Sequence, residues 1–180
     1  MQLDYLKLWT SFRTSLINSI NETEINDFEK AWVSRTERTL CYFDSLLPKI
    51  AGKMNLEFEK EMYFRVDGTF YKTGGQKIKV PIIFLESEND VRSSDGEVKK
   101  LCLLNAPLKV LMICNDWNDS SKKIITEGYW DYIIDDFKDE NCLTGYFAFI
   151  IAEWNDTLKF YSYVYNEKAE IIEDKLMIEI

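Results

Sequence analysis

Apolar residues at Leu3, Leu6, Trp9, Phe12 and Leu16 recur near the helical period and predict a helix over residues 3–19. Asn21-Glu22-Thr23-Glu24 reads as a turn. A second helix is predicted over 25–51, with Ile25, Phe28, Trp32, Leu40, Phe43, Leu47 and Ile50 inward, Pro48 as a kink and Gly52 at its end. The period then shortens to two. Residues 56–72 alternate as a strand, divided or bent near the middle, and Thr73-Gly74-Gly75-Gln76 is a loop. Lys79 to Leu85 and Leu108 to Cys114 are continuous apolar runs, the pattern of strands covered on both faces. Between them Gly96 to Asn105 predicts a short helix, stopped by Pro107. Ser120 and Ser121 offer caps for a helix to about Asp139. Residues 145–154 and 158–165 form a hairpin around Asn155-Asp156-Thr157, and 169–180 alternates weakly as an edge strand. The pattern is that of an α/β fold with a mixed sheet, in a single domain spanning 1–180.

Composition narrows the chemistry more than the fold. The 180 residues contain no histidine, which removes Ser-His-Asp and Cys-His catalysis and His-ligated zinc. The four cysteines are widely spaced and read as reduced thiols rather than a zinc site. No glycine-rich nucleotide-binding fingerprint is present. No apolar run approaches the roughly 20 residues that span a bilayer, and the N-terminus lacks the pattern of a secretory signal, so a cytoplasmic protein without a membrane partner is expected. The net charge of −9 is uneven: residues 110–180 carry 6 basic and 15 acidic side chains. The middle of the chain is close to neutral, because Lys72, Lys77, Lys79, Arg92, Lys99 and Lys100 surround its carboxylates.

Those carboxylates are the candidate chemistry. The strand beginning at Val80 ends in FLESEND, with Glu86 and Glu88 two positions apart and so on one face. Like charges so placed repel, and burying one unpaired is costly, so either solvent or a positive group belongs beside them. Asp67 lies on the preceding strand. A tight Gly74-Gly75 turn would set it opposite Ile82 or Ile83; a wider loop sets it opposite Glu86. Pro81 has no N–H to give a ladder, which favours the wider loop. Facing carboxylates of this kind suit Mg²⁺ or Mn²⁺.

Asp67, then Glu86-Ser87-Glu88 at the end of an apolar strand, then a helix and another apolar strand, resembles the PD-(D/E)xK nuclease superfamily. The resemblance covers residues 25–114 and implies a restriction-endonuclease-like αβββαβ core. Residues 115–180 would add a helix and a β-rich, hairpin-bearing extension. It implies metal-dependent hydrolysis of nucleic acid, DNA in the first instance, by a chain that acts as a homodimer. Asp67 and Glu86 would be catalytic metal ligands, with Glu37 completing the shell and Asp44 behind it. Glu88 stands where the family has lysine and would be a catalytic residue, as metal ligand or base. Lys100 on the following helix would supply that cation, although Glu97 and Lys100, at i and i+3, also read as a surface ion pair. Asn89, Arg92 and Lys99 would contact substrate.

A second reading needs no catalysis. The acidic C-terminal part imitates a polyanion, as an inhibitor or immunity-type protein on a degenerate nuclease fold would, with a basic protein as partner. Asp135, Asp136, Asp139 and Glu140 would carry it.

Overall fold

The computed structural model describes residues 4–180; Leu3 of the first predicted helix lies outside them. The protein is a mixed α/β structure with helices and a seven-stranded mixed sheet. Its chain divides into two compact units, Met1–Leu85 with Ile180, and Glu86–Glu179. Among the described residues no helix is long and apolar enough to cross a membrane.

In the first unit, helix α1 (Tyr5–Asn21) starts at Asp4, whose carboxylate accepts the Lys7 N–H at 2.9 Å. It buries Trp9, Phe12, Leu16 and Ile20, one face at helical spacing. The single helix predicted over 25–51 is divided. Helix α2 (Ile25–Ala31) stops before Ser34, whose hydroxyl caps helix α3 (Arg35–Leu40) by accepting the Glu37 N–H. A wide π turn, Cys41–Leu46, follows, and helix α4 (Leu47–Lys53) continues from it. Pro48 accounts for the wide turn. It has no N–H for the carbonyl four residues back, and the Leu47 N–H reaches to Tyr42 O instead.

The strand predicted over 56–72, expected to be divided or bent near its middle, is two strands. Strand β1 (Glu57–Lys60) and strand β2 (Gly68–Thr73) pair antiparallel, and β2 pairs antiparallel with the first part of strand β3 (Lys79–Glu88). Between β1 and β2 the backbone turns through left-handed positions at Glu61, Phe64 and Arg65. The Val66 N–H closes on Tyr63 O at 3.0 Å, so Phe64 and Arg65 are the two central residues of a turn of the I′ kind. Each side chain held there costs about 1–2 kcal/mol. Gly68 is needed at its place, since a Cβ would stand 2.8 Å from the Phe58 ring and 3.1 Å from Phe43. Phe12, Phe58 and Phe70 meet in ring contacts that join α1 to this sheet.

In the second unit β3 ends, a 3-10 turn (Val91–Ser93) leads into helix α5 (Ser94–Leu103), and strand β4 (Leu108–Cys114) follows. Helix α6 (Asp119–Ile125), a π turn (Thr126–Trp130) and helix α7 (Asp131–Asp139) then return the chain to strand β5 (Tyr146–Trp154), parallel to β4. The cap of α6 is Asn118 rather than Ser120 or Ser121: its side chain accepts both their N–H groups, while Ser121 accepts from Asn118 N–H. Strands β6 (Leu158–Tyr165) and β7 (Ile171–Glu179) extend β5 antiparallel, so the weakly alternating tail is a strand. Trp130 lies flat on Phe149, ring centroids 3.8 Å apart, and donates its N–H to the buried Ser94 hydroxyl at 3.0 Å. That bond ties α5 to the helical segment packed over β5.

Candidate functional site

Of the residues predicted to do chemistry, Glu86 has the most unusual surroundings. It is 2% exposed, and its carboxylate meets the ammonium of Lys100, in the last turn of α5, at 2.5 Å. Lys100 itself is 29% exposed. An isolated buried carboxylate would cost several kcal/mol, and the ammonium offsets that charge. The Lys100 ammonium brings three N–H donors to this strand end.

Glu88 is used differently. Its Oε1 accepts the backbone N–H of Asn89 at 2.7 Å and of Asp90 at 2.9 Å, turning the chain out of β3. The strand therefore ends with one glutamate against a lysine and the other on its own backbone. Arg92, expected to touch substrate, grips Asp90 through two parallel bonds of 3.0 and 2.9 Å on the surface. Lys99 pairs with Asp95 one turn earlier at 3.0 Å, and that pair holds Lys99 protonated above, and Asp95 below, its ordinary range. Asn89 is half-buried.

The remaining candidates belong to the first unit. Asp67 is half-buried immediately before β2, and its carbonyl accepts the Glu61 N–H at 3.3 Å. Glu37 is exposed in the first turn of α3, and Asp44 is paired with Lys60. Among the described residues no group of three or more His, Cys, Asp or Glu side chains is arranged to hold a metal, which a shell of Asp67, Glu86 and Glu37 would require. Magnesium does not need such a cage. It is held by one or two carboxylates, with water and phosphate completing its octahedron. Glu86 and Glu88 carry oxygen donors of the kind such an ion takes, but the structure commits Glu86 to Lys100 and Glu88 Oε1 to the Asn89 and Asp90 N–H groups.

Two buried polar groups of the second unit were not singled out by pattern. Lys109, inside β4, is 0% exposed and donates to Thr144 O; burial pushes its ammonium down to about 8. Its signal is a lysine within the apolar run LKVLMIC. Nearby, burial pushes the Cys102 thiol up to about 12. Glu153 is buried and accepts from Trp117 N–H and Tyr161 O–H, both at 3.0 Å. Burial and that bond push the Tyr161 phenol up to about 12.

No protein-family model matches the sequence, and no curated protein is significantly similar to it.

Proposed function

We propose that the chain hydrolyses phosphodiester bonds in nucleic acid, with Glu86 and Lys100 as the working pair. The observation that carries this reading is the lysine on the buried strand-end carboxylate. A carboxylate and a lysine are the two groups the nuclease pattern asks for, and α5 would supply the lysine in whose place Glu88 stands on the strand. Lys100 would meet a phosphate oxygen and stabilise the charge that grows on it. Glu86 fixes where that ammonium sits. When bound, Mg²⁺ would supply Lewis-acid stabilisation and a water of lowered pKa. Asp67 would be the aspartate of the pattern, and Glu88 would hold the turn that carries Asn89.

The test is cleavage of DNA and RNA in Mg²⁺ or Mn²⁺, with and without chelator. Removing one partner leaves a buried charge and costs about 3–5 kcal/mol, so the pair is replaced together, as Glu86→Gln with Lys100→Met. That variant should melt near the parent and lose cleavage. Wild-type rates in an Asp67→Ala, Glu86→Ala double variant would overturn the assignment.

One observation favours the non-catalytic reading: Asp135, Asp136 and Asp139 of α7 and Glu140 after it are all exposed. As a polyanion mimic the protein would bind a basic partner. Neutralising those four residues would then abolish the binding, while Asp67→Ala would leave it intact.

A further inference from the structure

The turn between β1 and β2 carries residues that its backbone disfavours. Turns of the I′ kind are normally built from Asn-Gly, because both central residues take positive φ. Here they are Phe64 and Arg65, each at φ 55°. Bulky side chains in that region are genuine outliers, and outliers held by their surroundings collect at functional positions.

The surroundings do hold this one. The Tyr63 hydroxyl donates to Lys79 O at 3.2 Å, and the Phe64 ring meets Phe84 edge-on at 6.3 Å and 85°. Yet Phe64 remains 69% exposed, so burial does not explain an aromatic residue at the turn's tip. Around the turn Lys60 and Lys79 are taken up by Asp44 and Glu59, which leaves Arg65, Lys72 and Lys77 against Glu61 and Asp67 on residues 60–79. An exposed ring beside a guanidinium, at a turn two residues before Asp67, is the combination that takes an unpaired base and its phosphate.

We infer that the Tyr63–Val66 turn is a contact element for single-stranded nucleic acid, with Phe64 stacking on a base and Arg65 meeting the adjacent phosphate. This rests on the phosphodiesterase reading and names its substrate class. Duplex is the poorer occupant, because its bases are already stacked.

The experiment replaces the turn with its preferred residues, Phe64→Asn and Arg65→Gly, in the full chain. Binding is read by fluorescence anisotropy of a labelled mixed-sequence single strand and of the matched duplex, in EDTA so that nothing is cleaved. The variant should melt higher, by about 2–4 °C, because the strain is gone. It should bind the single strand roughly tenfold or more weakly, the usual loss of one stacked base. Phe64→Trp should keep the affinity. A variant that is more stable and binds and cleaves like wild type overturns the inference and leaves the phosphodiesterase reading intact. Tighter binding of duplex than single strand by wild type also overturns it. A wild-type protein that neither binds nor cleaves any nucleic acid removes both.

Discussion

Lys109→Met is expected to stabilise the protein near neutral pH and to lose that advantage in alkali. Lys109 lies within β4, opposite Phe147 of β5, with no exposed surface and one hydrogen bond, to Thr144 O. Its ammonium titrates at about 8 instead of 10.5, because burial penalises the charge. At 1.36 kcal/mol per pH unit, holding it charged at neutral pH costs about 3 kcal/mol. Methionine fills a similar volume without the charge but leaves the carbonyl short of a donor, a loss of about 1 kcal/mol. The variant should therefore be more stable by about 2 kcal/mol near pH 7. The sign of the pH dependence follows from proton counts. Between about 8 and 10.5 the unfolded chain holds more protons on this lysine than the folded one, so wild-type stability rises with pH in that window. Cys102 acts oppositely from 9.0 to about 12, but it is present in both proteins and largely cancels in the difference. Urea unfolding followed by tryptophan fluorescence at about pH 7, 9 and 10.5 should show the methionine advantage shrink and then reverse. A stability difference that stays constant across those pH values, or a variant less stable than wild type at neutral pH, refutes the reasoning.

Gly145→Ala should be among the most damaging single changes. Gly145 has φ +62°, and its Cβ would stand 2.4 Å from the carbonyl oxygens of Ala106 and Pro107, so the approach to β5 must shift at a cost of about 3 kcal/mol or more in thermal or urea unfolding. Glu153→Ala strands the Trp117 N–H and the Tyr161 O–H and should cost about 3 kcal/mol, whereas Glu153→Gln keeps an acceptor for one of them and should cost about 1 kcal/mol. Phenolate absorbance should show one tyrosine, held at about 12 in wild type by burial and by Glu153, titrating lower in Glu153→Gln.

How far the fold was legible depends on which signal each element carries. β4 and β5 are continuous apolar runs, and α1 has its apolar residues on one stripe; both patterns survive folding, because burial decides them. The breaks within helices are set by single groups that periodicity does not weigh. The Ser34 hydroxyl restarts the backbone at α3, the missing N–H of Pro48 widens the turn before α4, and Asn118 outcompetes two serines as a cap. The Phe64-Arg65 turn is invisible for the opposite reason: local preference argues against the conformation that the structure adopts. Lys100 shows the same limit at the site. Its helical spacing from Glu97 suggests a surface pair, whereas the contact with Glu86 depends on the three-dimensional approach of α5 to the end of β3.

The register of β2 on β3 shows why a correct alignment can come from an incomplete argument. The wider loop expected from Pro81 would pair Lys72 with Pro81 and carry that alignment to the far end of the hairpin. In the structure the turn is tighter: Thr73 pairs with Lys79, Lys72 with Val80 and Tyr71 with Pro81. A regular ladder extended from there would set Gly68 opposite Phe84 and exchange the faces of every later pair. A bulge between Phe70 and Tyr71 takes up one residue of β3, so Phe70 faces Ile83 and Gly68 faces Leu85, as the wider loop required. Proline is at home beside such an irregularity, where a ladder donor is not needed. Pro81 thus stands beside the bulge, and the bulge sets the alignment of the strand end that leads to Asp67. Replacing Pro81 with valine supplies a donor to that ladder. If the bulge depends on its absence, the Gly68–Phe70 pairs should shift by one residue, and amide exchange at Thr69 and Phe70 should change while that at Lys72 stays as it is.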